Sequence, residues 1–369
     1  VQGGSTAAGF PFYYGGSFAD MLEQRLLQTY PGRQVEVVNT AMAAVNSFTL
    51  YDFVDEIIAQ DPDLVIIYAG HNEYYGALGV GSTITMGPSP AMTRVYLKLS
   101  GLRLVQGLRA VLASVAGLGK SGIDGDAPSG TLMEQVVGNQ SIPMGSEAFD
   151  RGVAQFQSNL RRILAGYQKA EIPVLIGTVS SNLRDHQPFV PTDESLWSDA
   201  RGADTAGAHE QALALYIRAK DDDQLRFRAP QQINEVIREE AALAGATVVE
   251  TYDRLAAAAE DGIIGDDLMT EHLHPNIEVY FQISSAFYES VLSQIDDRGA
   301  MFYVRDTAAR SELLITAVDS LTGMLRVKQL MGSWPFQPKG VVVAFEAPGD
   351  SADAVENLAY QLATRAPNR

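Results

Sequence analysis

The chain has no cysteine, and that one absence removes several chemistries together. A disulfide-stapled scaffold, a thiol nucleophile and a thiolate metal site are excluded, while the redox compartment stays open. Basic residues are also scarce: 27 Lys and Arg stand against 45 Asp and Glu, a formal net charge of −18. A chain this acidic offers no overall basic face to a phosphate backbone, so no nucleic-acid partner is expected. Only six of the basic residues are lysines, a balance that suits high salt but also occurs in ordinary acidic proteins. No run of 18 apolar residues marks a membrane-spanning helix, and no signal peptide is visible. The compartment is left open between a cytoplasmic one and an extracytoplasmic or membrane-anchored one, the latter needing a segment upstream of Val1.

What is present is a globular chain. Its 369 residues, 46% of them hydrophobic, suffice for one large domain or two smaller ones. Short Val- and Ile-rich runs at 35–38, 64–69, 174–179 and 247–250 lack period-two alternation, the pattern of parallel strands buried on both faces. The first strand is cut short, with only Val1 and Gln2 ahead of a Gly-Ser turn. Helical patterns occupy 17–29, 50–60, 149–169 and 230–244; the third puts Phe149, Val153, Phe156, Leu160, Ile163, Leu164 and Tyr167 on one face. This alternation predicts a doubly wound α/β layer, with any site at the carboxyl ends of the strands.

Two insertions, about 74–148 and 193–228, interrupt the rhythm. Residues 74–123 contain no Asp or Glu but carry Arg94, Lys98, Arg103, Arg109 and Lys120. The apolar helical stripe over 91–118 reads as a cap helix, as an amphipathic lid, or as a surface making peripheral contact with an anionic membrane. It is too short and too interrupted by Arg to span a bilayer. The second insertion holds a helical segment at 207–219 and the run Asp221-Asp222-Asp223, expected to be solvated. Residues 296–369 form a C-terminal extension without a chemistry-bearing pattern, expected to pack on a catalytic layer of 1–295.

Three short segments carry the chemistry. In Gly3-Gly4-Ser5-Thr6-Ala7-Ala8-Gly9, small residues permit a tight turn that exposes a hydroxyl and brings backbone N–H groups near a reacting carbonyl. Gly70-His71-Asn72-Glu73 follows the run 64–69, so Asn72 can aim a side-chain amide at a developing oxyanion. In Glu271-His272-Leu273-His274-Pro275-Asn276, a carboxylate three residues before a His can fix the imidazole tautomer, the orienting half of a Ser-His-acid arrangement. Two His and a Glu within four residues also suggest a metal. However, the His residues are two apart and no HExxH is present, so no metal site is expected.

In this order, each at a strand end, the three segments resemble the SGNH (GDSL-like) hydrolase superfamily. The resemblance covers residues 1 to about 295. It implies a three-layer α/β/α flavodoxin-like fold with a parallel sheet of about five strands, and ester hydrolysis by a serine without metal or cofactor. Carried over, Ser5 is the nucleophile, His274 the base and Glu271 the orienting acid, with Ser5, Ala41 and Asn72 as oxyanion donors. The family usually has Asp where Glu271 stands, and Gly in the block that here reads Asn39-Thr40-Ala41. Glu73 also replaces a usual Asp and is expected to orient its loop. The segments 70–76, 181–185, 225–230 and 333–336 look like recurring pieces of a bacterial subgroup associated with tetratricopeptide repeats. Gly70, Glu73, Asn182, Arg184 and Arg228 are the substrate-binding candidates; for Arg228 a salt bridge is the competing role, and the favoured one. The expected substrate is a small-molecule or glycan ester with a short to medium acyl chain. An O-acyltransferase or deacetylase acting on cell-envelope polysaccharide, and a non-catalytic assembly module, are the alternatives.

Overall fold

A computed structural model describes residues 1–83, 137–138, 141–294, 302–343, 346–349 and 352–364. The stripe 91–118 and the five cationic residues of the first insertion lie outside the described residues.

Four parallel strands form one sheet in chain order: β1 (Gln2–Gly3), β2 (Val65–Tyr68), β3 (Val174–Gly177) and β4 (Thr247–Val249). Gln2 pairs with Ile67, Ile66 with Leu175, and Ile176 with Val248. Every residue of β2 and β3 is buried, which is why neither run alternates. The sheet has four strands among the described residues, and the run at 35–38 is not one of them. Its Val38 is 59% exposed, and the chain there only flanks β1. The Val1 amino group donates to the Val38 carbonyl (2.7 Å), Thr40 N–H to Val1 (2.9 Å) and Met42 N–H to Gly3 (3.2 Å). A segment at the sheet edge has one neighbour, so an apolar composition like that of β2 does not bring it the same burial. Counted with this edge segment, the spatial order is the 2-1-3-4-5 of a flavodoxin-like layer, whose switch point lies between β1 and β2.

Helices cover both faces. On one side α2 (Ser47–Asp52), α3 (Val54–Ile58), α4 (Glu147–Lys169) and α7 (Gln231–Ala244) pack together; α1 (Phe18–Thr29) and α9 (Ile277–Gln294) pair on the other. The expected helix at 50–60 is broken at Phe53 into α2 and α3. Local signals set several boundaries: Ser17 caps α1 through Asp20 N–H and Ser146 caps α4 through Phe149 N–H. In α4, Phe149, Phe156, Leu160, Ile163, Leu164 and Tyr167 are all buried, as the helical spacing requires. The second insertion forms α5 (Ser195–Thr205) and α6 (His209–Asp222), joined to α7 by residues 223–230; α8 (Thr251–Ala258) follows β4.

The acidic run at the end of α6 is not solvated. Asp221 and Asp223 are buried and Asp222 is half-buried. Asp223 accepts from the N–H groups of Phe189, Val190 and Leu225 and from Arg228; Asp222 accepts from Thr192 and Asp193 N–H; Asp221 accepts from Gln231 N–H and pairs with Lys220. Consecutive carboxylates are stable here because each meets several donors.

The C-terminal extension contributes α10 (Asp306–Ser311), α11 (Ala317–Met331) and α12 (Ala354–Thr364). It touches the α/β layer at several places, among them Arg25, which bonds the Val304 carbonyl and pairs with Asp306, Arg326, which bonds the Pro11 carbonyl, and Phe336, which packs near His272. No helix among the described residues is long and apolar enough to cross a membrane.

Candidate active site

β1 and β2 end side by side, so the loops that leave them, 4–10 and 69–76, open together at the switch point of the sheet. The first loop turns at once: Ala8 N–H returns to the Gly4 carbonyl and Phe10 N–H to Ser5, both at 3.0 Å. This leaves the Ser5 side chain at the rim of a small cleft lined by Gly4, Thr6, Gly70, His71 and Asn72. Asn72 approaches the first loop closely, and a Cβ on Gly4 would lie 3.0 Å from Asn72 Nδ2. Asn72 and Ser5 thus line the same small cleft.

The third segment arrives from the far end of the chain. His274 Nε2 lies 2.7 Å from Ser5 Oγ, and its Nδ1 meets Glu271 Oε1. Glu271 is buried and also receives His274 N–H on Oε1 (2.9 Å) and Leu273 N–H on Oε2 (3.3 Å). The longer arm of Glu therefore reaches the position an Asp would serve. Phe10 covers His274, with ring centroids 4.5 Å apart, and the Phe10 carbonyl takes the Tyr280 hydroxyl. Burial pushes His274 down from the usual imidazole range, to about 3. At neutral pH the ring is uncharged, with Nε2 directed at Ser5.

The other candidates are placed differently. Ala41 N–H donates to Asn39 Oδ1 (3.1 Å), so this donor is engaged within its own turn. Gly70 serves packing: a Cβ on it would meet Ile233 Cγ2 at 2.7 Å. Glu73 faces away from the cleft and is buried under α2 and α4, accepting from Ser47 N–H (3.1 Å), Ser47 Oγ (2.8 Å) and Gln155 Nε2 (2.6 Å). Asn182 ties two loops to the His segment, its N–H on the His272 carbonyl (3.0 Å) and its Nδ2 on Asp266 (2.7 Å). Arg184 pairs with Asp204 (2.9 Å) and Asp261 (3.4 Å), well inside a structural network. Those two carboxylates and His209 stand at ligating distance from one another, and the Arg184 guanidinium pairs with both carboxylates. Arg228 is buried, bonding the Asn182 and His186 carbonyls (both 2.9 Å) and pairing with Asp223 (3.4 Å). Gly70, Glu73, Asn182, Arg184 and Arg228 thus serve the frame of the site.

Sequence reasoning passed over the surroundings of the histidines. His71 and His272 are buried and His186 half-buried beside the site, His71 Nδ1 accepting Ala229 N–H (3.1 Å). Burial pushes His71 to about 3 and His186 to about 2. Phe189, Phe227 and Phe336 wall off His272. The one signal available was the placement of Phe227 and Phe336 within the segments 225–230 and 333–336.

Burial also sets the behaviour of Glu73, raised to about 7, with the hydrogen bonds from Gln155 and Ser47 opposing. An unfolded Glu titrates near 4.5, so between that value and about 7 the folded state keeps a proton the unfolded state has released. Stability contributed by this group is full below 4.5 and falls as pH rises through that window, by on the order of 3 kcal/mol. Glu73→Gln is expected to gain in Tm relative to the parent between pH 5 and pH 8. Parallel thermal melts at the two pH values test this, and a Tm difference independent of pH would contradict it.

No curated protein matches this chain in sequence. Among solved structures, an acetylxylan esterase from Geobacillus stearothermophilus is similar at 14% identity and a TM-score of 0.40, the match covering 82% of this chain and 94% of that one. A lipase/acylhydrolase from Enterococcus faecalis is similar at 12% identity and a TM-score of 0.39, over 82% and 96% of the respective chains. The family model of the GDSL-like lipases and acylhydrolases matches residues 1–280, most of the chain, and the chain belongs to that family.

Proposed function

We propose that this acylhydrolase is a serine esterase working through Ser5, His274 and Glu271. The observation that carries the reading is the unbroken line of contacts from Ser5 Oγ through both nitrogens of His274 to a buried carboxylate. Ser5 Oγ attacks the ester carbonyl as His274 Nε2 takes its proton, and the carbonyl oxygen becomes an oxyanion. Collapse breaks the bond to the alcohol, which leaves with the proton from His274. Water then attacks the acyl-Ser5 ester, His274 again accepting and returning one proton, and the acid departs. Glu271 stays ionised throughout and stabilises the imidazolium at each transfer.

Asn72 Nδ2 and the Ser5 N–H are the proposed oxyanion donors. Ala41 joins them in this reading by exchanging its bond to Asn39 for one to the oxyanion. The narrowness of the cleft among the described residues favours short to medium acyl groups. A panel of p-nitrophenyl esters from acetate to palmitate, with fluorophosphonate labelling mapped by peptide mass spectrometry, tests the proposal. Turnover should be greatest at the short end, with the label on Ser5. No turnover across the panel together with an unlabelled Ser5 would rule it out. Transfer to sugar acceptors that outcompetes hydrolysis would redirect it to an acyltransferase using the same three residues.

A further inference from the structure

We infer that His272 is a positioning residue for Glu271, a second imidazole that holds one carboxylate oxygen in place so that the other stays on His274. The inference rests on the serine-esterase reading above. Glu271 lies between two histidines: Oε1 meets His274 Nδ1, and Oε2 lies against His272 Nδ1. The two rings stand nearly perpendicular, 6.2 Å apart between centroids, with the carboxylate shared by both.

The chemistry of the longer side chain shows why such a tether matters. Glu carries one torsion more than Asp, and rotation of its terminal carboxylate is intrinsically broad. A carboxylate held only by its contact to His274 could turn its plane and lose that contact. Backbone donors restrain it in part, through His274 N–H at 2.9 Å and Leu273 N–H at 3.3 Å. The Leu273 bond to Oε2 is long, and His272 is the side chain placed to complete the restraint on that oxygen.

His272 is itself well fixed. It is fully buried, with ring centroids of Phe336, Phe189 and His186 at 5.3, 5.5 and 5.6 Å, and its carbonyl takes the Asn182 N–H. Burial pushes the imidazole well below its ordinary range, so it is neutral and carries one N–H to offer. Neither ring nitrogen has a hydrogen-bond partner among the described residues, although Nδ1 touches Oε2. With the proton on Nδ1, a small turn of the ring makes that N–H a second donor for the oxygen and helps the enclosed carboxylate remain ionised. Phe336 comes from the C-terminal extension, which thereby forms one wall around a group three contacts from Ser5.

The test uses the full chain with His272→Asn, His272→Gln and His272→Phe, each alone and, for His272→Phe, also combined with Glu271→Ala. Rates on p-nitrophenyl acetate are normalised to fluorophosphonate-titrated sites, so that misfolded protein does not count. The Asn amide nitrogen can stand where Nδ1 stands, whereas the Gln amide reaches the Nε2 position. His272→Phe and His272→Gln are expected to lower kcat about ten- to a hundredfold with KM within about twofold. His272→Asn should recover most of that loss. In the Glu271→Ala background, His272→Phe should cost nothing further, because its effect passes through the missing carboxylate. Should His272→Phe fail to fold, the contrast between Asn and Gln decides alone. Equal losses in Asn and Gln, wild-type kcat in Phe or Gln, or a full additive penalty on top of Glu271→Ala would overturn the inference. If Glu271→Ala by itself leaves kcat unchanged, the role of Glu271 fails first and the inference falls with it.

Discussion

Ser5→Ala is expected to lower kcat for ester hydrolysis roughly 10⁴- to 10⁶-fold while leaving Tm within a degree or two. The loss is large because no neighbour can take over the covalent step: the chain has no cysteine, and the His274 imidazole points its free nitrogen at Ser5 Oγ alone. Residual activity above the uncatalysed rate should persist, since Asn72 and the backbone donors still stabilise an oxyanion formed by attacking water. His274→Ala should fall in the same range, and the double variant should be little worse than either single one, because the two act as a unit. The pH profile adds a second readout. The reaction needs neutral His274, so kcat/KM falls as pH drops through its pKa, and burial places that pKa below the ordinary value of 6.5. Rates at pH 6.5 and pH 8 should therefore be nearly equal. Stopped-flow or plate assays on p-nitrophenyl acetate suffice, and a Ser5→Ala enzyme retaining more than about a hundredth of parental kcat would sink the mechanism.

The residues of that mechanism were legible in sequence because chemistry restricts them to short segments. Ser5, Asn72 and the Glu271–His274 pair each sit within a few residues of the carboxyl end of a strand or before a helix, where local spacing carries the signal. The central strands were legible for a similar reason: burial on both faces leaves an unbroken apolar run, as in β2 and β3. What escaped was decided by distant partners. The run at 35–38 has the composition of a central strand, and only its place at the sheet edge exposes Val38. Asp221, Asp222 and Asp223 read as solvated because their donors belong to residues 189–193 and 225–231. The substrate candidates Glu73, Asn182, Arg184 and Arg228 lie toward the carboxyl end of the sheet, yet each makes its side-chain bonds to protein partners. Polar residues near a site thus announce themselves in sequence, whereas the side they face depends on folding.

The second large effect follows from that buried network. Asp223→Ala is expected to destabilise the protein by about 3–5 kcal/mol, because it removes the charge partner of a buried Arg228 and strands three backbone N–H groups. Arg228 cannot relax into water: it is buried, and Nη1 is already committed to the Asn182 and His186 carbonyls. Desolvation works against its charge, and Asp223 is the nearest compensation. At roughly 2–4 °C per kcal/mol for a large domain, the Tm should drop by on the order of 10 °C. Asp223→Asn should cost less, since its amide oxygen can still accept one or two of the N–H groups. Arg228→Met tests the converse, because replacing the cation by an apolar chain of similar length leaves Asp223 with its three backbone donors. That variant should be milder than Asp223→Ala, and combining the two should cost less than the sum of the single effects. Differential scanning calorimetry of the four proteins settles the ranking. If Asp223→Ala shifts Tm by less than about 2 °C, the carboxylate does not hold residues 189–190 and 223–228 together as its bonds indicate.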